Sequence, residues 1–93
     1  MKWTLKLSRL VIKKDLPRLS RVVRDRIKKN LQAKLLIDPV KKSKPLAGTL
    51  KPLRSFRVGS YRVVFMVKQQ DLIILLVGVA HRSTIYEELN DRL

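Results

Sequence analysis

Trp3, Leu5 and Leu7 alternate with Thr4, Lys6 and Ser8 at the start of the chain, and a period of two is that of a strand with one buried face. A first strand is predicted from about Lys2 to Leu7, with Trp3 as a core residue on the edge of a sheet. Ser8 is an N-cap residue type, and the spacing of Val11, Ile12, Leu16 and Leu19 suits a short helix that Pro17 bends if it lies beyond the first turn. Ser20 can cap a second helix, in which Val23, Ile27, Leu31 and Leu35 recur every four residues as an apolar stripe. Its many Arg and Lys residues read first as a solvated face, with a direct RNA-contact face as the alternative. Asp38-Pro39 ends it, and Lys41 to Lys51 is an irregular basic connection that Leu46 and Leu50 can anchor on the core.

Three strand candidates follow, at about Leu53 to Val58, Tyr61 to Lys68 and Leu72 to Val79. Gly59-Ser60 is a two-residue hairpin signal and Gln69-Gln70-Asp71 a polar turn, so the three strands form an antiparallel meander. The last is apolar on both faces, which places it inside the sheet. Ser83 can cap a terminal helical segment with Ile85, Leu89 and Leu93 at four-residue spacing and Glu87-Glu88 near its positive end. The order β-α-α-β-β-β-α predicts one α+β domain over residues 1–93, a two-layer fold with the meander packed against two N-terminal helices.

Charge narrows the partners. With 22 Lys plus Arg against 7 Asp plus Glu, the 93 residues carry a net charge of +15. The excess is confined to residues 1–70, which hold 20 basic and 3 acidic groups, a field that draws a polyanion or an acidic protein segment. No cysteine and one histidine exclude disulfides, thiolate nucleophiles and an all-histidine zinc site, so no metal and no cofactor is expected. The longest apolar run, Leu72 to Ala80, is nine residues, against roughly 20 for a membrane-spanning helix. The N-terminus alternates where a signal peptide would be continuously apolar. The expected location is the cytoplasm, without a membrane partner.

Phosphate-loop, dinucleotide, zinc-protease and serine-hydrolase signatures are all missing from the sequence. What remains is a concentration of Arg and one His around the meander: Arg54 and Arg57 on its first strand, Arg62 at the start of its second, His81-Arg82 after its third. The hairpin joins Arg57 to Arg62, and the second connection returns the chain to the same sheet end. Convergence of Arg57, Arg62, His81 and Arg82 is therefore expected.

Three segments carry a resemblance: Lys44-Pro45-Leu46-Ala47-Gly48-Thr49-Leu50-Lys51, Ser55-Phe56-Arg57-Val58-Gly59-Ser60-Tyr61-Arg62-Val63-Val64-Phe65, and His81-Arg82-Ser83-Thr84-Ile85-Tyr86. Together they resemble the RelE/ParE toxin superfamily. The resemblance implies a small toxin of a type II toxin–antitoxin pair, neutralised by a cognate antitoxin from an adjacent gene. For members resembling RelE it also implies an endoribonuclease, an mRNA interferase acting on mRNA in the ribosome.

Such cleavage needs no metal, because RNA supplies its own 2′-OH nucleophile. The protein must accept the 2′ proton, stabilise charge on the phosphorane oxygens and donate to the departing 5′-oxygen. On that division His81 is the acid–base candidate, Arg62 and Arg57 hold phosphate charge, and Tyr86 stacks on a base or donates its hydroxyl. Arg82, Arg54, Lys51 and Lys44 are RNA-binding candidates. RNA-cleaving relatives often have a basic residue two before the Arg-Val-Gly arginine, where this chain has Ser55. Arg54 beside it faces the opposite side by strand alternation. The alternatives are a non-enzymatic toxin resembling ParE, which binds and inhibits DNA gyrase, and a basic binding protein without toxicity.

Overall fold

In the computed structural model, which describes residues 3–50 and 52–92, the alternating start of the chain forms β1 (Thr4–Leu7). The Lys2 end of the predicted strand lies outside the described residues. Helical structure begins at residue 9, where the Ser8 hydroxyl accepts the Val11 N–H at 3.4 Å. A π-helical turn, Val11–Asp15, comes next and leads into the single turn α1 (Leu16–Arg18). Pro17 has no N–H to offer the preceding turn, and the chain turns extended at Leu19.

Ser20 caps α2 (Arg21–Asn30) by accepting the Val23 N–H at 3.2 Å. The helix runs on into a second π-helical turn, Leu31–Leu35. The four-residue spacing of the apolar stripe explains it. Each such step overshoots a 3.6-residue turn by about 40°, and a wider turn closing i to i+5 bonds takes the drift back. Ile27, Leu31 and Leu35 all stay buried as a result.

The basic connection is more ordered than its breakers suggest. It contains a two-residue strand, β2 (Lys44–Pro45), paired with β3 (Arg54–Val58), on an outer edge where proline is tolerated. Then come β4 (Tyr61–Lys68), β5 (Ile73–His81) and α3 (Ile85–Arg92). The predicted meander is present, with β3–β4 and β4–β5 antiparallel. At the β3–β4 turn Gly59 has φ +59 while Ser60 stays at negative φ, the II′ arrangement that matches strand twist. The sheet order is β1-β5-β4-β3-β2, and β1 lies parallel to β5, Thr4 opposite Ile73 and Leu7 opposite Leu76. The sheet is therefore mixed, and β5 is internal as its two apolar faces predict.

The fold is α+β. On one sheet face Val11, Ile27, Leu31 and Leu35 pack against Phe56, Val58, Val63, Phe65, Ile74, Leu76 and Val79, with Trp3 partly buried beside them. The other face is covered by α3, whose Ile85 and Leu89 join Leu53, Val64 and Ala80. Leu46 and Leu50 pack there too, anchoring the basic connection as expected. A Cβ on Gly78 would lie 3.0 Å from Leu89 Cδ2 and 3.2 Å from Ile85 Cδ1, so α3 sits directly on the strand. The predicted Leu93 position of the α3 stripe lies outside the described residues.

Two irregularities mark β5. Val64 pairs with Gly78 and Phe65 with Leu76, so Val77 is an extra, bulged residue. Beyond the Ser8 N–H to Leu76 carbonyl bond, moreover, β1 no longer covers the β5 edge. Side chains complete that edge instead. Asp15, 1% exposed, accepts the Val79 N–H at 2.9 Å, and Arg92 donates to the Val77 carbonyl at 2.9 Å. The two side chains also form a bidentate pair at 2.6 and 2.8 Å. One turn earlier on α3, Glu88 pairs with Arg18.

Candidate nucleic-acid interface

The short hairpin sets the first contact of the site. With Val58 opposite Tyr61, Arg57 falls opposite Arg62, and both project on the face that carries α3, since Phe56, Val58, Tyr61 and Val63 take the other. Two guanidinium groups side by side repel each other. On its other flank Arg62 faces Ala80, a side chain too small to fill the space. Tyr86, in the first turn of α3 and 39% exposed, borders this space.

The groove so formed has a volume of about 460 Å³ and is lined by Arg57, Arg62, Tyr86 and Ser55 together with residues 41–46 of the basic connection. Lys41, Lys42 and Lys44 supply three more cations. No carboxylate lines it among the described residues. Arg62 Nη1 is buried and has no hydrogen-bond partner, an arrangement that costs about 1–3 kcal/mol if nothing fills it. Repelling cations, an unpaired buried donor and an absence of acids give the groove a chemistry complementary to an anion with several oxygens.

His81 is not part of that groove, which corrects the expected convergence. Its cross-strand partner is Tyr61, with ring centroids 5.5 Å apart at 84°, and Tyr61 packs on the α1/α2 side. The bulge at Val77 is the cause. Alternation continued unbroken from Ile74 and Leu76 would put residue 81 on the face of Arg62, and the extra residue reverses it. His81 lines a separate cavity of about 210 Å³ with Asp15, Arg18, Tyr61, Thr84 and Glu88. Its Nδ1 accepts the Ser83 N–H at 3.2 Å and lies 2.8 Å from Ser83 Oγ. A backbone N–H can only donate, so the neutral ring carries its proton on Nε2. Ser83 is thereby diverted from the cap predicted for it; Thr84 precedes α3 instead, its carbonyl accepting the Glu88 N–H.

The other candidates separate as well. Arg82 is exposed at the end of β5, and its N–H bonds the Ser60 carbonyl at 2.8 Å, tying the hairpin tip to β5; it lines neither cavity. Arg54 does not line the groove; its guanidinium is held by Ser43 and Val40 of the basic loop. Lys44 is in the groove, and Lys51 lies outside the described residues. Lys41 and Lys42 line the groove as well, and their one signal in the sequence is membership of a basic, breaker-rich run. Among the described residues no group of three or more His, Cys, Asp or Glu side chains could hold a metal ion. No helix among them is long and apolar enough to cross a membrane.

A five-stranded mixed sheet with helices on both faces is the fold of a known class of small proteins, the RelE/ParE toxins. The chain is a member of that superfamily, a toxin of a type II toxin–antitoxin system: residues 5–86 match the ParE toxin family of type II toxin–antitoxin systems, parDE. Among solved structures, the RelBE2 toxin–antitoxin complex of Mycobacterium tuberculosis aligns with a TM-score of 0.81 at 21% identity, over 87% of this chain and 99% of that one. A mutant of the Escherichia coli toxin RelE in the free state aligns at 0.76 and 24% identity, over 100% and 99%. The archaeal RelE–RelB complex of Pyrococcus horikoshii aligns at 0.70 and 26% identity, over 88% and 97%. No curated protein matches the chain by sequence.

Proposed function

We propose that this toxin is a cytoplasmic, ribosome-dependent mRNA interferase whose groove grips the RNA backbone, and that an antitoxin from an adjacent gene neutralises it. The observation that carries the reading is the unpartnered Arg62 Nη1 beside Arg57 in a groove lined by three lysines and no acid. Arg62 and Arg57 stabilise charge as the 2′-oxygen attacks the phosphate and the phosphorane forms. Tyr86, or a lysine ammonium, donates to the departing 5′-oxygen. Among the described residues the only side-chain acceptors lining the groove are the hydroxyls of Ser43, Ser55 and Tyr86, so the 2′ proton passes to water. His81 has no role in this scheme, and neither metal nor cofactor is required.

The position of His81 also favours a second reading, a toxin resembling ParE that binds DNA gyrase without cutting anything, because the groove holds no imidazole. Primer extension on mRNA after brief expression separates the two. Discrete in-frame cuts that vanish with Arg62→Ala support the interferase. Toxicity with intact mRNA and inhibited supercoiling supports the gyrase reading.

A further inference from the structure

The lysines of the groove sit on a segment that has almost no regular structure to hold it, yet one side chain is built to do so. Arg54 donates from Nε to Ser43 Oγ at 2.7 Å and from Nη2 to the carbonyls of Val40 at 3.0 Å and Ser43 at 3.2 Å. Ser43 Oγ donates in turn to the Pro39 carbonyl at 2.5 Å. At the start of the loop the Asp38 carboxylate accepts the Lys41 N–H at 3.2 Å, and at its end β2 pairs Lys44 with Ser55. The guanidinium fork thus ties Val40 to Ser43, and through the Ser43 hydroxyl to Pro39, in one loop whose other side chains, Lys41, Lys42 and Lys44, face the groove.

Holding three ammonium groups on a short loop beside Arg57 and Arg62 is electrostatically unfavourable, and a free loop would spread them into solvent. We propose that Arg54 is a positioning residue, which presents the lysines of the loop as a preformed wall against a single-stranded RNA backbone without touching the RNA. The proposal rests on the reading of the groove as an RNA site. The planar fork is essential to it: lysine at this position keeps the charge but cannot bond a hydroxyl and two carbonyls in one plane.

The test uses the full chain in two measurements. Amide exchange of residues 39–45 in the free toxin reads loop order, and binding of a single-stranded RNA oligonucleotide over a salt series reads the phosphate contacts. Arg54→Lys is expected to speed exchange across the loop, weaken RNA binding about tenfold and flatten the salt dependence, since each lost phosphate contact removes about 0.7 from the log–log slope. Ser43→Ala, which removes one of the three Arg54 bonds and the bond to Pro39, should give an intermediate effect on both. In a Lys41→Ala/Lys42→Ala/Lys44→Ala background, Arg54→Lys should cost no further affinity. Exchange and binding like the parent's in Arg54→Lys, or an undiminished loss in the triple-alanine background, would overturn the proposal. A parent chain that binds no RNA overturns the reading of the groove instead, and the exchange arm still reports whether Arg54 orders the loop.

Discussion

Asp15→Asn is the perturbation for which the structure supplies the clearest magnitude. The Asp15 carboxylate is 1% exposed and accepts three bonds, one from the Val79 N–H and two from Arg92, whose side chain is 10% exposed. An amide in its place turns an NH₂ group toward the guanidinium, donor against donor, and leaves a nearly buried charge without its counterion. Breaking a buried pair from one side costs about 3–5 kcal/mol, in a 93-residue domain whose whole stability is about 5–14 kcal/mol. The thermal midpoint should fall by at least about 12 °C. The partner's titration agrees with this strength: hydrogen bonding to Asp15 raises the Arg92 pKa against the opposing effect of burial, and the charges of Asp15 and Glu88 add to the rise. A raised pKa in the folded state means that the stabilisation is complete below the ordinary arginine range and lost only as pH rises through the still higher folded value. The pair should therefore give no pH dependence through Arg92 at neutral pH. Urea unfolding followed by circular dichroism measures the loss. Adding Arg92→Gln to Asp15→Asn removes the stranded charge while an amide carbonyl still meets the Val79 N–H and an amide NH₂ the Val77 carbonyl, so the double variant should recover about 1–3 kcal/mol over the single. A single variant within about 1 kcal/mol of the parent, or a double variant no better than the single, would refute the reasoning.

Arg62→Ala should lower mRNA cleavage about 10²- to 10³-fold and leave the unfolding midpoint unchanged or slightly raised, because it relieves the repulsion with Arg57; Arg62→Lys should restore only part of the rate, and primer extension together with a thermal melt measures both. His81→Gln should leave cleavage within a few-fold of the parent, since the ring lies in a different cavity; a loss as deep as that of Arg62→Ala would return His81 to the mechanism. Gly78→Ala should destabilise the fold by about 1–3 kcal/mol, because the added methyl meets Leu89 and Ile85; a stability curve matching the parent's would contradict the close seat of α3. RNA binding should weaken steeply as salt rises, and an affinity flat from low to moderate salt counts against phosphate gripping.

Most elements were legible from the sequence because their determinants are local. Period-two alternation marks β1, serine marks the start of α2, and Gly59 at positive φ closes the β3–β4 hairpin. That same local turn sets the register, so the pairing of Arg57 with Arg62 follows from four or five neighbouring residues. The field of positive charge is likewise a property of composition. Tertiary structure alone decided the rest, because those features depend on residues far apart in the chain. The alternation of β1 shows a strand but not its neighbour, and only packing places it parallel to β5. One bulged residue, Val77, turns His81 from the face of Arg62 to that of Tyr61, and no pattern in an all-apolar strand marks where alternation breaks. Asp15 and Arg92 are 77 positions apart. Each reads alone as an ordinary surface charge, and they become the completed edge of a sheet only where β1 ends before β5 does.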